Sequence, residues 1–140
     1  MGQAMTKRIL PLLVGALSVM GAAALAHHST VAYAPTTITL SNGTVKRLTW
    51  ANPHTVLSFE VKDARGKVVA WSAESGSPSA LTRVGWHRNS LKSGDVVKVE
   101  LFPAKNGATV GRLARVIFPD GRELLDSVFK ASPFDTIQKK

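Results

Sequence analysis

The strongest constraint on this chain is a period of two in its middle third. Leu57, Phe59 and Val61 alternate with Val56, Ser58 and Glu60; after Asp63-Ala64-Arg65-Gly66, the residues Val69, Trp71 and Ala73 alternate with Val68, Ala70 and Ser72. Successive strand side chains point to opposite faces, so this pattern predicts a hairpin with one buried face. A strand over residues 45–50 precedes it, entered through a turn at Ser41-Asn42-Gly43. Its alternation is less clean, because Leu48 and Trp50 share a face with Lys46. Pairing with the hairpin makes a meander.

The period then breaks. In SGSPSALTRVGW, residues 75–86, Ser77 suits an N-cap, Pro78 a first helical position, and Ala80, Leu81 and Val84 a short apolar stripe. Gly85 suits a left-handed stop and Trp86 a fold-back onto the last turn, so one helix of about two turns is expected here, with a structural role. Strands resume after Leu91-Lys92-Ser93-Gly94-Asp95, where Val97, Val99 and Leu101 alternate with Val96, Lys98 and Glu100. A Gly-rich excursion over 106–111, a strand over 113–118, a turn at Pro119-Asp120-Gly121 and a short edge over 122–125 complete the pattern. The whole reads as a mainly β protein: a small OB-like antiparallel barrel of five to six strands, with one short helix between strands three and four. An open half-barrel or sandwich is the alternative.

The barrel is preceded by a segment of different character. Lys7 and Arg8 form a positive start, residues 9–20 an apolar run, and Ala24-Leu25-Ala26 the small residues that signal peptidase requires. Pro11 and Gly15 weaken the competing reading, an uncleaved membrane anchor. Residues 1–26 are therefore expected to be a cleaved Sec-type signal peptide. They are followed by an extended segment 27–42, the barrel 43–126 and a tail 127–140. The membrane is engaged only during export, and the expected location is the periplasm.

Cleavage changes the composition that matters. Removing 26 of 140 residues leaves 114, and the formal charge of +9 loses Lys7 and Arg8 to become +7. There are no cysteines, and Met1, Met5 and Met20 all lie in the signal, so the processed chain contains no sulfur. Any metal site must then use nitrogen and oxygen. The basic charge favours anionic surfaces, but it is scattered and lacks an aromatic–basic stripe, which argues against nucleic acid.

Five ordered motifs carry a family resemblance: His27-His28-Ser29, Trp50-Ala51-Asn52-Pro53-His54-Thr55, the run at 75–86, LKSGDVV at 91–97 and FPDGREL at 118–124. Together they resemble an exported Gram-negative bacterial family catalogued as domain of unknown function 6152. The resemblance implies export and a compact β-rich domain, with no activity attached. The family's His-His-Ser start is usually followed by an aromatic–acidic pair, whereas Tyr33-Ala34 here has no acid. An acid used as a ligand by relatives would be missing.

Cleavage after Ala26 would make His27 the first residue, offering its α-amine and a ring nitrogen to one metal. Such a nitrogen chelate suits Cu(II), and Zn(II) less well. His54, just after the Asn52-Pro53 turn, is the natural third ligand, and His28 or Tyr33 could complete the sphere. Binding would strengthen from about pH 5 to 8, as imidazoles and an amine of ordinary pKa about 7.7–8.0 lose their protons. Taken singly, each residue has a plainer reading: a loose terminus, a turn histidine, and for His87 a solvated loop.

Trp50, Asn52, Pro53, Ser77, Pro78, Gly85, Trp86, Gly94 and Asp95 read as structural motif residues. No catalytic constellation is visible: Ser75-Gly76-Ser77 does not fit a nucleophile elbow, and Glu74 is expected to pair with Arg83 or the helix. The sequence thus points to a non-enzymatic exported binding or accessory protein, with Cu(II) as its best-defined ligand. The alternative is a partner-binding module that engages an anionic envelope component or another periplasmic protein, with Arg83, Arg88 and Arg112 as contacts.

Overall fold

The alternating segments form strands as their period requires. The computed structural model describes residues 33–128. Residues 1–32, which hold the expected signal peptide as well as His27 and His28, and residues 129–140 lie outside the described residues. Its elements run β1 (Ile38–Thr49), β2 (Val56–Lys62), β3 (Val68–Glu74), α1 (Pro78–Thr82), β4 (Val96–Pro103), β5 (Val110–Ile117) and β6 (Glu123–Leu125). In the hairpin β2–β3, Leu57 lies opposite Ala73, Phe59 opposite Trp71 and Val61 opposite Val69. The inward residues of β2 and β4 (Leu57, Phe59, Val61, Val97, Val99 and Leu101) are all buried, as their alternation predicts. Each such large apolar side chain contributes about 1.5–3 kcal/mol by leaving water.

Closure makes the sheet an OB-like barrel. β1 pairs antiparallel with both β2 and β4, β4 with β5, and β5 with the short β6. The seam is β3–β5, where Ser72, Ala73 and Glu74 run alongside Val110, Gly111 and Arg112. This pair is parallel, so the barrel is mixed and departs from the all-antiparallel expectation. The reason is chain direction: the path through α1 and β4 brings β5 back to β3 pointing the same way.

Ser41-Asn42-Gly43 is not a turn before a strand but an irregularity inside β1. The β1–β4 register shifts between Leu40 and Gly43, and Asn42 has a φ of 56°. Gly43 permits the bend, because a Cβ there would sit 3.1 Å from the Phe59 ring and 3.3 Å from the Val97 carbonyl oxygen. Bent in this way, one strand serves both neighbours. A second shift, between Val45 and Arg47 against β2, skips Lys46 and resets which residues face inward. That skip explains the imperfect alternation of residues 45–50.

The helix is shorter than two turns. Ser77 Oγ accepts from the Ala80 amide, Pro78 opens the helix, and after Thr82 the chain tightens, with Val84 N donating to Leu81 O. Gly85, at φ 95°, ends the segment. Trp86 then folds back as expected, with its amide on Leu81 O, its ring buried and its Nε1 donating to Leu125 O at 2.8 Å. One side chain thereby ties α1 to β6. Gly94 donates to Val45 O and Asp95 Oδ2 accepts from the Lys92 amide, which sets the entry to β4. β5 starts at Val110, so the Gly-rich excursion ends earlier than its composition suggests.

Candidate functional site

At the end of the barrel where β2 begins and β3 finishes, the ladder continues past the strands. Thr55 N donates to Gly76 O and Ser75 N to Thr55 O, which clamps the Pro53-His54-Thr55 segment to the approach to α1. A 480 Å³ cleft opens beside this clamp, lined by Tyr33, Pro53, His54, Glu74, Ser75, Gly76, Ser77, Arg112, Asp126 and Val128. Its side chains come from five separate stretches of chain.

His54 and Glu74 form one pole. His54 Nδ1 lies 3.3 Å from Ser75 O and 3.3 Å from Glu74 Oε1. Glu74 is the last residue of β3 and sits in two ladders, opposite Val56 on one side and Arg112 on the other, so its backbone is held on both flanks. It faces His54 and Tyr33, which corrects the expected pairing with Arg83. The physical reason is register: the side chain of a strand-end residue follows its ladder neighbours, while Arg83 lies beyond α1 and is exposed. Tyr33 enters through an isolated bridge to Ala104. Burial, then the Glu74 charge and a hydrogen bond to Glu74, push its phenol above the usual value against the opposing pull of Arg112.

Asp126 forms the other pole, and it is buried. Its Oδ1 accepts from Ser75 Oγ at 3.0 Å, from Gly76 N at 3.0 Å and from Ser127 N at 2.6 Å. Its Oδ2 lies 4.0 Å from Arg112 Nε. Asp126 N also donates to Ala114 O, so the residue after β6 is fastened to β5 and to the α1 approach together. Glycine suits position 76, because a Cβ there would press on Ser127 Oγ and come 3.3 Å from Asp126 Oδ1. The cleft therefore carries two carboxylates against one guanidinium, and an excess of negative charge when His54 is neutral.

Of the sequence-derived metal residues, His54 lines the cleft, while His27 and His28 lie outside the described residues. Among the described residues, no three His, Asp or Glu side chains converge as metal ligands. Pro53 and Ser77 also line the cleft; Asn52 is exposed beside it, joined to Pro53 by a cis bond. Trp50 packs half-buried against the core, and Pro78, Gly85, Trp86, Gly94 and Asp95 serve turns and packing. His87 is exposed, with its Nδ1 accepting from Asn89 N. Arg112 alone of the three candidate arginines reaches the cleft; Arg83 and Arg88 are exposed outside it. Sequence reasoning missed Asp126 and Ser75. The only local sign of Asp126 is an acid directly after the apolar pair Leu124-Leu125, and its partners Ser75 and Gly76 lie 51 and 50 positions away.

The chain belongs to the Family of unknown function (DUF6152), whose profile matches residues 16–114. That stretch includes Tyr33, His54, Glu74 and Arg112 and stops short of Asp126. No curated protein and no solved structure matches the chain.

Proposed function

We propose that the processed chain is a periplasmic, non-enzymatic accessory domain that captures Cu(II), with Zn(II) as the poorer fit. In this reading the α-amine and ring of His27 chelate the ion, His54 adds a third nitrogen, and His28 is available to the sphere. The observation that carries it is that Tyr33 and His54 line one cleft together with two carboxylates, Glu74 and Asp126, and one guanidinium, Arg112. Six chain steps from His27 to Tyr33 span up to about 20 Å when extended, wider than a cleft of this size. The terminus is thus within reach of His54. The charge balance favours a cation, and it disfavours the alternative of an anionic envelope ligand, for which Arg112 is the one cleft contact and already faces Asp126.

The test compares Cu(II) affinity of protein starting at His27 with that of protein carrying one extra residue before it. Blocking the terminal chelate is expected to weaken binding at least tenfold, and equal affinities would overturn the reading. His54→Ala, measured alongside, is expected to lower affinity while leaving the terminal chelate in place.

A further inference from the structure

We infer that the protein forms a two-fold dimer by pairing the open edge of β3 with the same edge of a second copy, in an antiparallel register centred on Val69. No residue of the cleft takes part, so the dimer and the metal reading stand or fall separately.

β3 is paired on one side along its whole length but on the other only at its end. β2 covers Val68 to Glu74, whereas β5 reaches only Ser72, Ala73 and Glu74. Residues 68–71 therefore present an edge that no other strand takes up among the described residues. Ser72 N donates to Thr109 O, away from β2. Backbone polar groups alternate sides along a strand, so those of Val68 and Ala70 also point away from β2, and no backbone group among the described residues meets them. Such an edge is usually blunted by charge, proline, a bulge or shortness. β6 follows that rule, being three residues long and opening with Glu123. The β3 edge does not: Val68-Val69-Ala70-Trp71 is uncharged and free of proline, its register against β2 is unbroken, and Val68 is exposed.

A second copy of this edge matches the first. With Val69 facing Val69 across the two-fold axis, Val68 of each copy lies opposite Ala70 of the other, and each such pair exchanges two N–H···O bonds. Both outward-facing residues are then satisfied. Centring on Ala70 would instead set Val68 opposite Ser72, whose amide already donates to Thr109. Charge agrees with the Val69 register. Glu60 sits beside Ala70 on β2, and Lys62 beside Val68. A row across the dimer thus reads Glu60, Ala70, then Val68 and Lys62 of the second copy, so each row ends in opposite charges. In the same register Lys67 falls opposite Trp71 of the second copy, an ammonium facing an indole rather than another cation.

Sedimentation over a concentration series, on protein expressed from the full sequence, should show a monomer–dimer equilibrium. Hydrogen exchange should slow at the Val68 and Ala70 amides as concentration rises, while the Val69 and Trp71 amides, which point to β2, stay protected throughout. Ala70→Pro removes an amide that only the second copy uses and should weaken association about 10- to 50-fold. Val68→Lys keeps every backbone group and should also shift the equilibrium toward monomer. Because the chain has no cysteine, Val69→Cys places a single thiol of each copy at the axis and should give an intermolecular disulfide on oxidation. A protein that is monomeric at every concentration overturns the proposal and leaves the edge to a strand of some other protein. A dimer unaffected by both Ala70→Pro and Val68→Lys, or one whose Val68 and Ala70 amides exchange as fast as in the monomer, overturns it as well, because the copies then meet elsewhere.

Discussion

The two ends of the β2–β3 hairpin each open onto a cavity, and the cavities are close in size yet differ in kind. The turn end has a 570 Å³ groove lined by Ser41, Asn42, Thr44, Glu60, Val61, Lys62, Val68 and Val96; the open end has the 480 Å³ cleft of His54, Glu74 and Asp126. Val68 and Val96 at the turn end are exposed, and Glu60 there pairs at the surface with Lys46, at 3.4 Å. At the open end a buried carboxylate collects three donors while a second carboxylate lies 3.3 Å from a histidine ring nitrogen. Volume therefore does not mark the site. Convergence of polar groups from distant stretches of chain does, because each buried polar contact must offset its desolvation and is kept only where geometry satisfies it.

The comparison breaks or holds most visibly on one acid from each end. Asp126→Ala removes the acceptor of Ser75 Oγ, Gly76 N and Ser127 N, so unfolding free energy should fall by about 2–4 kcal/mol. Glu60→Ala, which removes an exposed partner, should cost no more than about 1 kcal/mol. Urea denaturation measures both. Comparable losses would mean that the open end is held no more tightly than ordinary surface.

Gly76→Ala probes the same end from the backbone. The new methyl would press on Ser127 and Asp126, and overpacking of this kind costs about 1–3 kcal/mol. The loss should shrink when Ser127→Ala is added, because the nearest obstacle is then removed. An additive double variant would show that the Ser127 contact is not what requires a glycine at this position.

This contrast also explains what could be read in advance. The walls were legible because alternation is a local signal: the inward residues of β2 and β4 follow from spacing alone. The two bulges of β1 were not, since a skipped residue such as Lys46 looks in sequence like a weak strand rather than a well-formed one that changes face. The parallel seam escaped for another reason, as the closing contact of Glu74 with Arg112 depends on chain direction after α1. His54 was visible because histidine is scarce and Asn52-Pro53 marks a turn. Asp126 was not, because nothing within several residues of it hints that Ser75 and Gly76, across the fold, will need its oxygen.

The smallest expected effect concerns Tyr33, and it can be read without interference because the chain contains one tyrosine. Burial first, and the Glu74 carboxylate second, raise the phenol above its usual value, so the folded state holds its proton at a pH where the unfolded chain has lost it. Fewer protons on the unfolded state mean that stability falls with rising pH, so this contribution is intact below about pH 10 and is lost as pH climbs through the raised value. Tyrosinate absorbance should therefore show a midpoint above that of a free phenol, and Tyr33→Phe should flatten this part of the alkaline decline in melting temperature. Glu74→Gln should bring the midpoint partway back, leaving the part due to burial. A midpoint unmoved by Glu74→Gln would separate the phenol from the carboxylate and leave the cleft with one organised pole, Asp126, instead of two.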